Sequence, residues 1–263
     1  MTAMNRSQDV IAPSATLPPA VRFELGAGVN LSNWVHSSYL RRQLGIGRLR
    51  RDELSRIADM GFDHVRLPVR ESHLYDRRDR RRMPMLDHMH QVIDWAQHAG
   101  LRAVLVLHRV RSHFARQPRT VDLFNHEPAV SRLMDIWRDL SGLIGHHRHE
   151  HLAYDFLGET RAPSMLEWDR VAGRVMAAIR EREPQRKLIM GPYFFRHLSK
   201  FDFTRAPTDS NLILSFFYYV PTVLTHYGLS WSWSSRGYSG PIHYPGRPVA
   251  DQDMHRVPAA IHQ

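Results

Sequence analysis

The sequence predicts an α/β protein of the (β/α)8 TIM-barrel type, incomplete, with about six of the eight βα units present. Three observations carry this. Amphipathic helical stretches alternate with short apolar runs rich in Val and Leu, the pattern of a parallel sheet with covering helices. No Gly-x-Gly-x-x-Gly turn opens a helix, which argues against a dinucleotide-binding sheet. Asn33, Arg66, His108, Glu159 and Tyr219 fall at the C-terminal ends of apolar runs, where a barrel builds its site.

The first run is GAGVNLSNW, Gly26 to Trp34. A helix follows, with Leu54, Ile57 and Ala58 on one face, and the run HVRLPV comes after it. Next, Leu86, Met89, Ile93 and Ala96 share a helical face ahead of RAVLVLH. Gly61 and Gly100 stand where a helix C-cap glycine belongs. Val130, Leu133, Ile136, Trp137 and Leu140 give a third helix before LAYDFL. Trp168, Val171, Ala172, Val175 and Ile179 give a fourth, ended by Pro184. KLIMG and NLILSFFYY complete the strands. Beyond Pro221 the chain is rich in Gly, Pro, Trp, Tyr and His without a βα period. The expected organisation is a disordered tail over 1–20, a barrel domain over 21–246 and an irregular tail over 247–263.

Composition bounds the function. A hydrophobic content of 43% supports a sizeable core, and the absence of cysteine excludes disulfide and thiolate chemistry. The formal charge is +10, but the arginines are scattered through the helices. Their one dense run, Arg77 to Arg82, sits in an expected loop, so a solvated basic surface is favoured over a nucleic-acid site. No stretch has the length of a membrane helix, and the N-terminus lacks the apolar segment of a secretory signal. The histidine tract His146 to His151 offers no closed tetrahedral set on one element and reads as a solvated loop. No metal and no cofactor is expected.

Glu159 ends a buried strand at a loop mouth, the place of a catalytic acid in a barrel. Glycoside cleavage needs two such carboxylates. The last glutamate is Glu183, and the acids after it are Asp202, Asp209, Asp251 and Asp253. Asp202 and Asp209 fall in an expected connection, and Asp251 and Asp253 in the tail. The aromatic cluster Trp231, Trp233, Tyr238 and Tyr244 could stack on sugar rings or pack a long loop. Trp34 stands where it could line the same cleft.

GVNLSNW, GFDHVRLPV, LDHMHQVIDWAQHAGLRAVLVLH, LAYDFLGET, KLIMGPYFF, NLILSFFYY and LTHYGLSW occur in an order and spacing that resembles glycoside hydrolase family 5. These are cellulase-like retaining β-glycanases with (β/α)8 barrels, and the resemblance covers Arg22 to Gly246. It implies that Glu159 is the proton donor and acid/base residue, that Arg66 braces the nucleophile and that His108 contacts the sugar. It implies a substrate-binding role for Tyr219; Asn33, Trp34 and Trp231 are further candidates to bind substrate by their positions and residue types. Two positions depart from the family pattern. Gly158 stands for the Asn that holds the sugar 2-hydroxyl, and Phe217 for a His. The family's nucleophilic glutamate belongs to a seventh strand and a stacking Trp to an eighth, and neither segment is found here.

The expected function is therefore hydrolysis of O-glycosyl bonds in a β-glucan, of endoglucanase type by ancestry, weak or absent because the nucleophile is missing. A non-catalytic glycan-binding remnant is the alternative, and a basic nucleic-acid binder ranks third. The expected partners are a β-glucan or related polysaccharide and, through unpaired barrel edges, a second copy of the chain. No specific nucleic acid and no membrane is expected. The sequence reads as cytoplasmic, whereas family analogy points to export.

Overall fold

Six short strands form one parallel sheet in chain order. They are β1 (Gly28–Asn30), β2 (His64–Arg70), β3 (Arg102–Arg109), β4 (Leu152–Asp155), β5 (Lys187–Met190) and β6 (Leu212–Leu214). The computed structural model describes residues 19–32, 34, 49–113, 122–200, 202, 207–229 and 238–256. The chain divides into two compact units, Met1–Phe216 and Phe217–Gln263.

The first unit holds the sheet. Each strand pairs in parallel with the next, so each crossover must return the chain to the same end. Up to β5 the returns are made by α1 (Arg51–Asp59), α2 (Glu71–Leu74), α3 (Met83–His98), α4 (Glu127–Ile144) and α5 (Met165–Arg180). Gly61 and Gly100 follow α1 and α3 with φ of 88° and 77°, the left-handed conformation that ends a helix. Proline in the first turn starts both α3 and α4. Ser164 caps α5 by accepting from Glu167 N at 3.3 Å.

Strand alternation sorts the side chains into two layers. Ala103, Leu105 and Leu107 of β3, Leu152 and Tyr154 of β4, and Leu188 and Met190 of β5 join the core between sheet and helices. The helices supply Leu54, Met89, Ile93, Leu133, Trp137, Val171 and Val175 to that core. The opposite face carries Val104, Val106, Ala153 and Ile189, packed with Phe23. Phe23 belongs to the segment ahead of β1, which is anchored far along the chain. Val21 N donates to Asn211 Oδ1 at 2.9 Å, and Asn211 Nδ2 donates to Pro19 O at 3.2 Å. The residues before β1 therefore reach the start of β6, and Phe23 fills the inner layer between. Among the described residues, β1 and β6 have no further partner strand.

The sixth strand is shorter than its apolar run. Beyond its last residue, Ser215 N–H donates to Met190 O at 2.8 Å. Tyr219 lies in the second unit, not at a strand end. That unit has α6 (Thr222–Thr225), a 3-10 turn at Asp251–Arg256 and a small core of Val223, Tyr238 and Val249. The sheet unit ends at Phe216.

Candidate active site

The inner face of a buried strand accepts a charge only if a partner comes with it. At the end of β4, Asp155 is fully buried on that face. Arg66, on the inner face of β2, donates from Nη2 to Asp155 Oδ2 at 2.8 Å. Arg196 donates from Nη2 to the other carboxylate oxygen and to Leu157 O at 2.9 Å. Arg66 Nη1 also reaches Asn30 Oδ1 on β1 at 3.1 Å. Two arginines therefore share one carboxylate beneath the C-terminal ends of the strands. Burial holds the Arg196 guanidinium below its ordinary range, with Asp155 acting against that.

The loop after β4 is tethered through its backbone. Trp137 Nε1 donates to Phe156 O at 3.0 Å, and Gly158 N to Leu107 O at 3.0 Å. Phe195 N donates to Thr160 O at 2.6 Å, and Ala162 N to Tyr193 O at 2.8 Å. His113 Nε2 lies 3.2 Å from Glu159 O and accepts from Arg161 N at 3.3 Å. These contacts fix where the partly buried Glu159 leaves the chain.

His108 stands at the end of β3. Burial lowers its pKa first, and the Glu159 carboxylate acts in the opposite direction. Burial thus disfavours the charged imidazole, which is within electrostatic reach of Glu159. Gly158 makes this proximity possible. A Cβ there would lie 2.7 Å from Val106 Cγ1 and 3.2 Å from both Cα and Nδ1 of His108. An asparagine at this position would have to displace His108 or Val106.

The loop after β5 completes the arrangement. Phe195 and Arg196 have φ of 49° and 53°, a conformation that costs non-glycine residues about 1–3 kcal/mol each. It delivers the Arg196 side chain across Gly191, where a Cβ would meet Arg196 Cγ at 2.5 Å.

The site therefore brings together Arg66, His108 and Glu159 of the expected set. Trp34 is placed elsewhere. It is 3% exposed in the main core, donates from Nε1 to Pro68 O at 3.0 Å and packs 5.8 Å from the His88 ring. Both of those partners are protein groups, so the ring is a core element and not a lining of the cleft. Tyr219, in the second unit, is 49% exposed and packs edge-on to His226 at 5.1 Å. Asn33 and Trp231 lie outside the described residues.

Asp155, Arg196 and His113 were not anticipated. Asp155 had a signal, since it alternates with Tyr154 on a strand whose inner face also carries Ala153. Arg196 had none, because its role depends on a loop conformation. Two further acids of the sheet unit, Glu183 and Asp209, are engaged with arginines. Glu183 accepts from Tyr154 Oη at 2.9 Å and from Arg186 Nε at 2.6 Å, at the opposite end of the strands. Asp209 pairs with Arg180 at 2.9 Å.

A fold of parallel βα units with a carboxylate after the fourth strand puts the candidate site where barrel enzymes build theirs. The sequence pattern described as Cellulase (glycosyl hydrolase family 5) matches residues 29–239. The chain belongs to glycosyl hydrolase family 5. It is 27% identical over 227 residues to Endoglucanase C of Acetivibrio thermocellus, covering 84% of this chain and 65% of that protein. It is 23% identical over 208 residues to Cellodextrinase A of Ruminococcus flavefaciens, covering 78% of this chain and 61% of that protein. The chain thus spans just under two thirds of these relatives. Among solved structures, a hyperthermophilic endo-β-1,4-glucanase in complex with substrate superposes with a TM-score of 0.66 at 23% identity, covering 79% of this chain and 64% of that one. A second glycoside hydrolase gives a TM-score of 0.71 at 17% identity, covering 84% and 67%. Both likenesses concern the fold.

Proposed function

We propose that this chain carries the acid/base half of a β-glucan hydrolase of endoglucanase type, and that by itself it turns over weakly or not at all. The observation that carries the reading is the position of Glu159. It is tethered at the mouth of β4, within electrostatic reach of His108 and close to the Arg66–Asp155–Arg196 cluster.

A retaining mechanism uses one carboxylate to attack the anomeric carbon and another to protonate the departing oxygen and then activate water. Glu159 has the placement for proton transfer. Asp155 is unsuited to the attack, because it is fully buried and both its oxygens are taken by arginines. Glu183 and Asp209 are engaged with Arg186 and Arg180. Gly158 removes a donor to the sugar while giving His108 its room. Arg66, which the family pattern assigns to the nucleophile, is committed to Asp155. These features favour glycan binding without efficient cleavage. In the basic run, Arg80 is paired with Asp76 and Arg81 with Asp139, which supports an ordinary surface in place of a nucleic-acid site.

Calorimetric titration with β-1,4- and β-1,3-linked glucose tetramers tests the binding half. Saturable binding of one series is expected, weakened about tenfold by His108→Ala, the worth of one hydrogen bond. No heat from either series, with the chain folded by circular dichroism, would overturn the β-glucan reading.

A further inference from the structure

The histidine tract before β4 has no role in the glycan site, and it is not uniformly solvated. His147 is 4% exposed, whereas its neighbour His146 is exposed. Both pack against His90 on α3, which stacks on His146 with 5.4 Å between centroids and lies 5.8 Å from His147. One ligand nitrogen from each of the three rings lies within 4.8 Å of the other two. Asp94, one turn beyond His90 on the same helix, has Oδ1 3.5 Å from His147 Nδ1. That leaves His147 Nε2, which is buried and has no hydrogen-bond partner among the described residues.

We propose that His90, His146 and His147 form a binding site for one divalent transition-metal ion of the Zn2+ or Ni2+ class. The ion would join α3 to the connection between α4 and β4. Three imidazoles select borderline metals over Mg2+ or Ca2+, which take oxygen ligands. Asp94 has the place of the carboxylate that orients a metal-bound histidine through its other ring nitrogen. Tetrahedral bonds of about 2.0–2.1 Å require ligand nitrogens about 3.3 Å apart, so the rings close slightly on loading. His146 is exposed and can make that movement. The nearest fixed cation, Arg186, donates to His147 O at 2.7 Å and is neutralised by Glu183 at 2.6 Å.

The test is calorimetric titration of the purified, chelator-stripped full chain with Zn2+, followed by thermal melts with and without the ion. One ion per chain is expected, together with a raised melting temperature. Asp94→Asn should weaken binding about tenfold, and His90→Gln with His146→Gln by at least as much. The control is His149→Gln with His151→Gln, which removes two other histidines of the tract and should leave binding intact. If the His90 double variant fails to fold, the exposed His146→Gln alone serves. The proposal is overturned if Zn2+ does not bind, or if the His90 and His146 variants bind as the parent does. Loss of binding only in the His149 and His151 variant would overturn it equally.

Discussion

At the residue scale, the site depends on one carboxylate that the reaction does not use. Asp155 neutralises the buried Arg196 and the partly exposed Arg66 from a fully buried position. Removing one partner of a buried pair strands the other charge, at a cost of about 3–5 kcal/mol. Asp155→Asn keeps the shape and loses the charge, so urea unfolding should show a loss of that size. A loss below about 1 kcal/mol would mean that the arginines have other compensation. Gly158 poses the opposite problem, since any side chain there meets Val106 and His108. Gly158→Asn would restore the family's residue, yet it should destabilise by about 1–3 kcal/mol through overpacking. Thermal melts decide the point, and an unchanged melting temperature would show that His108 can move aside.

At the element scale, the inner layer is held by a segment outside the sheet. Asn211 makes two hydrogen bonds that bring Pro19 and Val21 to the start of β6. Phe23 then fills the space beside Val104, Val106, Ala153 and Ile189. Truncating a buried phenylalanine costs about 3–5 kcal/mol. Phe23→Ala should therefore destabilise the chain by that order, as read by urea unfolding, and an effect under about 1 kcal/mol would show that the segment is not part of the core. The outer sides of β1 and β6 are unpaired among the described residues. Unpaired strand edges invite a second chain. Sedimentation velocity should show weight-average mass rising with concentration, and a concentration-independent monomer would remove that expectation.

At the scale of the whole molecule, six histidines among the described residues are buried enough for their pKa values to be lowered: His73, His90, His108, His113, His147 and His149. For His73 and His147 the value falls to about 4. In the unfolded chain they titrate near 6.5. Between these values the unfolded state binds more protons, so stability is intact above about pH 6.5 and is lost as pH falls towards about 4. The urea midpoint should decline across that window, and a flat profile would contradict the burial of these rings.

The order of βα units was legible in the sequence because helix and strand periods differ and glycine marks the helix ends. The positions of Arg66, His108 and Glu159 were legible because strand C-terminal ends converge in this architecture. Arg196 and His113 were not, since each acts through loop contacts between residues distant in sequence. Trp34 misled, because an indole beside a cleft and an indole in the core have the same sequence signature. Tyr219 falls in the second unit, past the end of β6 at Leu214, because the apolar run is longer than the strand it contains.

Reducing-sugar release from soluble β-1,4-glucan by the purified chain and by Glu159→Gln tests the central claim most directly. The account predicts release at or near the background level for both, with melting temperatures that agree. Clear turnover by the parent chain, abolished by Glu159→Gln, would contradict it and would mean that a second carboxylate is at work.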